Sequence, residues 1–430
     1  MTERINKYFI YLSLFIIDLA LRINNHKICA FIIWLNIRKS KKIKSRFKNA
    51  KKVLVFPKSG GYDDLIESFF NKKNNNIVFY LLPRTFLKKI FSYYFGIKHE
   101  VYVKDYYTKL KNLDELNKKK LYVKFLTLTF RSINDYLKLD AFVSFNLFYY
   151  SEKYFEEVCK NLNSKFIILH KESVFTPIEE LMASVIYKKY NERSLSYKIS
   201  VYSESQKKML IKSKIANKKQ VFVNGNPRCD YSFRLRKVKP KKKIIVFYLI
   251  EYNRNNNVFI RNKKKNWKKL YNQTLKYVLE FAKNNPNIEV ILKGKTGIHK
   301  KNHFNSKLLS KNCLFIEGGS GQKLLKDASV VIAFNSTIVF ETILSNRNLI
   351  IPNFNNENKL NKNILLNIKN KKYFANTKKQ FNKKINLNLK LGYKNKKLSK
   401  NDIDTLKYYV GNIDGNSGIK VQKFFKTIFY

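Results

Sequence analysis

From residue 51 onward, short apolar runs alternate with longer stretches studded with polar residues. The runs are 52–57 (KVLVFP), 76–83 (NIVFYLLP), 139–146 (LDAFVSFN), 165–170 (KFIILH), 198–203 (KISVYS) and 219–225 (KQVFVNG). They are rich in β-branched and aromatic side chains, and turn residues or charges close them. Such runs predict strands buried on both faces, hence a parallel sheet covered by helices. Helices are predicted from 65 to 70 and, from the amphipathic SEKYFEEVCKNL, over 151–162. The segment 97–138 shows no period that assigns it to helix or strand.

Charge and a proline interrupt this series at 234–243 (RLRKVKPKKK), which predicts an interdomain linker. A second series follows, with strands predicted at 243–250, 287–294, 313–319, 328–335 and 348–354. Helices are expected at 267–284, 321–326 and 337–345, and two terminal helices at 399–410 and 418–429. A chain of 430 residues exceeds what one core usually serves. The expected fold class is therefore α/β, with two Rossmann-type domains facing a cleft, N-terminal helices and a C-terminal helix pair. The expected divisions are 1–50, 51–233, 241–390 and 391–430.

Ahead of the first strand, residues 8–23 (YFIYLSLFIIDLALRI) and 28–37 (ICAFIIWLNI) are strongly apolar, and 38–52 is basic. The first run is short for a membrane span and contains Asp18. No small-residue cleavage site follows it, so no signal peptide is expected. Two readings fit: interfacial helices with Trp34 and the basic run at anionic headgroups, or core helices followed by a solvated linker.

Net charge sharpens the choice of partners. The 87 Lys+Arg against 30 Asp+Glu give +57, which favours polyanions such as nucleic acid, anionic lipid or phosphorylated substrates. The lysines are spread along the whole chain amid heavy Asn and Ile use, a pattern coding bias also produces. The sequence has no ribonucleoprotein aromatic motif, zinc finger or basic-region heptads, so nucleic acid is not expected as a partner. Cys29, Cys159, Cys229 and Cys313 lie far apart, without disulfide-framework or zinc spacing. His299 and His303 are four apart in a lysine-rich stretch that lacks a carboxylate, and no metal is expected there.

Candidate chemistry gathers where predicted strands end. In AFNSTIVFE, Ser336 and Thr337 open a helix after a buried strand. There they serve either as an ordinary N-cap or as donors to an anion, with Glu341 one turn on. FPKSGGYDD places Gly60, Gly61, Asp63 and Asp64 at the first βα turn, and an aspartate there equally caps the helix. Gly318 and Gly319 let backbone approach a diphosphate. Asp63, Asp64 and His170 are the strand-end groups suited to general-base work. In VFVNGNPRCD, Gly225 and Pro227 shape a turn whose Arg228 either meets phosphate or pairs with Asp230.

The order of VNGNPRCD and FNSTIVFE resembles the C-terminal half of GT-B glycosyltransferases. It is most similar to the bacterial surface-carbohydrate and CDP-glycerol glycerophosphotransferase-like group. VNGNPRCD is similar to that group's GNPR.D element, and YYVGNIDGNSGIKVQKFF (408–425) to its C-terminal helix pair. The scattered motifs span roughly residues 165–425. The resemblance implies an acceptor domain followed by a nucleotide-donor domain, with Ser336, Thr337 and Glu341 at donor-binding positions. Arg228 and Lys293 would neutralise donor phosphates. LKGKTG departs from the family's lysine-leading His-Pro pair, and His170 lacks the glycines usual around its counterpart. The implied activity is transfer of a sugar or polyol phosphate from a nucleotide-activated donor to a lipid-linked or saccharide acceptor. It would proceed without a cofactor, on the cytoplasmic face of the cell membrane. A sugar-nucleotide epimerase of the same fold and a non-catalytic polyanion- or membrane-binding protein are the alternatives.

Overall fold

The apolar runs lie in two parallel sheets in this computed structural model. It describes residues 2–430 except 46, 59, 70–74, 97–111, 172–173, 191–192, 241–242, 251–263, 296, 298–304, 306–308, 355–365 and 394–396. His299 and His303 therefore lie outside the described residues. Two compact units form. The first contains Met1–Glu172, Tyr187–Asn224 and Gly418–Tyr430, and the second Ser173–Ile186 and Gly225–Ser417. The chain thus passes between units at 172/173 and 186/187, at 224/225, ahead of the charged stretch read as a linker, and again at 417/418.

In the first unit, helices α1 (Thr2–Arg22) and α2 (His26–Asn36) precede β1 (Arg38–Lys39). The Asn25 side chain caps α2, accepting from the Lys27 and Ile28 amides at 3.1 Å. Next come β2 (Lys51–Val55), α3 (Gly61–Phe69), β3 (Ile77–Leu81), α4 (Thr85–Phe95), α5 (Leu113–Leu137) and β4 (Ala141–Ser144). They lead into α6 (Tyr150–Lys153), α7 (Phe155–Asn161) and β5 (Lys165–Leu169), after which α8 (Pro177–Tyr190) lies mostly in the second unit. The series closes with β6 (Lys198–Val201), α9 (Glu204–Lys212) and β7 (Val221–Val223). Among the described residues the sheet order is β1-β3-β2-β4-β5-β6-β7, all parallel except β1 against β3. The stretch without a readable period proves to be largely α5, a 25-residue helix.

After α8, the second unit continues with α10 (Arg228–Arg234), and a 3-10 turn at Leu235–Lys237 stands where a linker was expected. It continues through β8 (Ile244–Tyr248), α11 (Lys264–Asn284), β9 (Glu289–Gly294), β10 (Cys313–Glu317), a 3-10 turn at Gly321–Lys326 and β11 (Ala328–Ile332). Then follow α12 (Ile338–Leu344), β12 (Asn348–Pro352), β13 (Phe374–Ala375), α13 (Lys378–Leu391) and α14 (Lys400–Tyr409). The described strands run β10-β9-β8-β11-β12-β13, which in order of appearance is 3-2-1-4-5-6. That is the dinucleotide-binding order, with its reversal between β8 and β11.

Strand alternation builds two cores. Ile244, Val246 and Tyr248 face one layer, with Val331, Ala333 and the α12 side chains. Ile245, Phe247 and Leu249 face the other, against α11 and α13. The last helix, α15 (Ser417–Phe429), covers the first sheet by burying Val421, Phe424, Phe425 and Ile428 against Val53 and Val55. The class read from the sequence, α/β with two Rossmann-type units, N-terminal helices and a C-terminal helix pair, is the class observed.

Candidate functional site

Ligands of open parallel sheets bind beyond the carboxyl ends of the strands, where strand order reverses. In the second unit this is the ground beyond β8, β9, β10 and β11. Lys293, at the end of β9, is buried at 6% exposure. Its Nζ donates to the Gly294 carbonyl at 2.9 Å and to the Gly318 carbonyl, tying the exit of β9 to that of β10. Burial lowers the Lys293 pKa, with Glu317 opposing. Gly318 and Gly319 both have left-handed backbone, with φ of 73° and 67°. A Cβ built on Gly319 would meet nothing within 4 Å, so its backbone borders open space.

Tyr248, the last residue of β8, joins this edge. Its hydroxyl donates to the Gly321 carbonyl at 2.7 Å, and its ring lies 2.9 Å from where a Gly321 Cβ would stand. Burial raises the Tyr248 pKa beyond the ordinary phenol range, and the neighbouring Glu341 charge adds to the rise. Glu341 itself is buried on α12. Ser336 and Thr337 are only partly buried at the exit of β11. Thr337 occupies the N-cap position without a side-chain cap bond, so its hydroxyl is not spent on the capping role. The amide of Leu366 donates to the Asn335 side chain at 3.0 Å and fixes this exit.

The NGNPRCD stretch is bound to the same edge. Gln322 donates its amide to the Arg228 carbonyl and to the Ser232 hydroxyl, so α10 is tied to the turn after Gly318-Gly319. Asp230 accepts from the Ser417 amide at 3.0 Å, and the Asn226 amide donates to the Val410 carbonyl at 3.0 Å. The Asp230 carboxylate thus holds the chain at its 417/418 crossing. Gly225 (φ 79°) leaves no room for a Cβ, which would stand 2.5 Å from Ser417 Oγ and 2.6 Å from Asn412 Cβ. Gly415 (φ 78°) is equally close to the Phe233 ring, at 2.6 Å. The GNPR.D-like and D-G-containing motifs, almost two hundred residues apart, are thereby packed on each other.

In the first unit, order reverses between β2 and β4, where the first βα turn stands. Gly60 has φ 83°, and its amide donates to the exposed Asp63 carboxylate at 3.1 Å. Gly61 abuts the Phe145 ring, 2.4 Å from a built Cβ, so no other residue fits. Asp64 is buried and accepts from the Tyr202 hydroxyl, which comes from the end of β6. His170, at the end of β5, is buried, with its amide on the Ser200 carbonyl and its ring edge-on to Phe148.

Neither a protein-family profile nor a curated protein sequence matches this chain. Solved structures similar in chain trace include the wall teichoic acid polymerase TagF (11% identity, 99% of this chain and 98% of that one, TM-score 0.47). The UDP-GlcNAc 2-epimerase from Neisseria meningitidis, solved bound to UDP-GlcNAc, is 13% identical over 87% of this chain and 100% of that one, with TM-score 0.42. A UDP-forming α,α-trehalose-phosphate synthase from Burkholderia xenovorans is 8% identical over 88% of this chain and 99% of that one, with TM-score 0.45.

Three groups at these edges escaped the sequence reading. Tyr248 carried a signal, since it ends the first strand of the second series, beside the strand-order reversal. Gln322 carried none. The third is a buried ion pair of the first unit, in which Arg84, after β3, donates to Glu152 on α6. Glu152 also accepts from the Ser144 hydroxyl, and the Arg84 guanidinium lies 3.9 Å from the Tyr149 ring centroid.

Proposed function

We propose that the protein is a GT-B-like transferase of surface-polysaccharide biosynthesis. It moves a sugar or polyol phosphate from a nucleotide-activated donor to a lipid-linked or saccharide acceptor, working peripherally on the inner face of the cell membrane. The observation that carries this reading is the edge of the second sheet. A buried ammonium, two consecutive left-handed glycines and the partly buried hydroxyls of Ser336 and Thr337 stand at strand exits where a 3-2-1-4-5-6 sheet reverses order.

An ammonium has three donors, and two of those on Lys293 hold carbonyls, leaving one for a phosphate oxygen. Gly318 and Gly319 bring backbone close to the diphosphate, and Ser336 and Thr337 donate to it. Arg228 adds charge, and Glu341 orders the donor's hydroxyls. Stabilising the departing nucleotide with such fixed donors is electrostatic catalysis. On the acceptor side, Asp63, Asp64 and His170 are the groups proposed to take the acceptor hydroxyl proton.

Thermal protection tests the reading. A CDP-, UDP-, GDP- or CMP-linked compound is expected to raise the melting temperature, because a ligand bound only by the folded state stabilises it. The shift should shrink as pH rises through the lowered Lys293 value, since the neutral amine no longer attracts phosphate. No shift with any of these compounds rules out the donor site. Conversion of a nucleotide sugar with no acceptor present would instead assign an epimerase.

A further inference from the structure

The outward faces of α1 and α2 are apolar. On α1, Tyr8, Tyr11, Leu12, Phe15 and Leu19 are all exposed, Tyr8 by 73% and Phe15 by 60%. At about 100° per residue they share an arc of roughly 100°. Ser13, Ile17, Ala20 and Leu21, all buried, lie on the opposite side. On α2 the exposed side chains are Ile28, Phe31, Trp34 and Leu35, whereas Cys29, Ile32 and Ile33 are buried. Trp34 and Phe31 stack at 6.1 Å. Both helices therefore bury one apolar face in the first unit and present another, contiguous in aromatic and aliphatic side chains, to solvent.

Asp18, the acid inside this run, does not spoil the face. Lys89 of α4 (2.6 Å) and Arg22 (3.1 Å) hold it, and the Lys89 hydrogen bond keeps its carboxyl below the ordinary range. Directly after α2, Arg38, Lys39, Lys41, Lys42 and Lys44 are all exposed, and residues 38–52 contain no acid. No described helix is long and apolar enough to cross a membrane.

We infer that the α1–α2 face is a monotopic docking surface for an anionic bilayer. Its aromatic and aliphatic side chains enter the headgroup boundary, and the 38–44 cations meet lipid phosphates. Charge selects this occupant over a second copy of the chain. Self-association would bring two cationic rims together in a protein of net charge +57, whereas an anionic surface complements them. The surface supplies the membrane location proposed above and uses none of the donor-site residues.

Full-length protein mixed with phosphatidylcholine vesicles, with and without phosphatidylglycerol, tests this inference. Trp267→Phe leaves Trp34 as the sole tryptophan reporter. Co-sedimentation with the anionic vesicles, weakened by salt, is expected, with a blue shift of Trp34 emission and quenching by brominated acyl chains. Phe15→Ser with Phe31→Ser should lower partitioning about tenfold or more. Lys41→Gln and Lys42→Gln should lower it about fivefold each. These side chains are exposed, so melting temperature and nucleotide protection should stay unchanged, which separates failure here from failure of the donor site. Unshifted Trp34 emission, binding indifferent to the apolar substitutions, or a lipid-blind dimer broken by them would overturn the inference.

Discussion

Arg84→Met is expected to lower stability to urea by about 3–5 kcal/mol, among the largest effects of any single substitution in the first unit. The Arg84 and Glu152 side chains are 6% and 1% exposed, so the variant leaves a carboxylate in the interior with the Ser144 hydroxyl as a remaining donor. The cost comes from the stranded charge more than from the lost attraction. Arg84→Met combined with Glu152→Gln should therefore recover most of the loss. A single-variant loss under about 1 kcal/mol, or a double variant as unstable as the single, contradicts this account of the β3–α6 junction.

Gly225→Val is expected to cost about 2–5 kcal/mol. Left-handed backbone accounts for about 1–2 kcal/mol of this and overpacking for about 1–3 kcal/mol. At φ 79° a side chain would press on Ser417 Oγ and Asn412 Cβ, both on the segment that carries the chain out of the second unit. Gly319→Ala is the matched control. Its φ of 67° is just as left-handed, but no atom lies within 4 Å of the new methyl, so only the backbone share should be lost. Equal losses at the two positions, read by chemical denaturation without ligand, would show that Ser417 and Asn412 do not constrain Gly225.

The strands were legible because burial on both faces leaves unbroken apolar runs. KIIVFYLI sends Ile244, Val246 and Tyr248 to one core and Ile245, Phe247 and Leu249 to the other. Helix α5 was not legible. Its buried residues include Tyr122, Val123, Phe125, Thr127, Thr129 and Phe130, β-branched and aromatic types that mimic a strand. In α13 the core face is only Phe381, Ile385 and Leu389 within a Lys/Asn-rich stretch. Strands β1 and β13 are two residues each and exist only through pairing. Glycine motifs marked both sheet edges, because left-handed backbone and close approach have a sequence signature. The Arg84–Glu152 and Asp64–Tyr202 contacts join residues 68 and 138 positions apart, and no local pattern records them.

The central claim is that a nucleotide-activated donor sits beyond β8–β11 on the hydroxyls of Ser336 and Thr337. Calorimetric titration of the protective nucleotide compound into wild type and into Ser336→Ala/Thr337→Val measures it directly. Both side chains are partly exposed, and Thr337 makes no cap bond, so the variant should fold as wild type does. The account predicts affinity weakened about a hundredfold or more, two lost hydrogen bonds to a charged group being worth about 1.5–3 kcal/mol each. Unchanged affinity in a fully folded variant would place the nucleotide elsewhere and contradict the account.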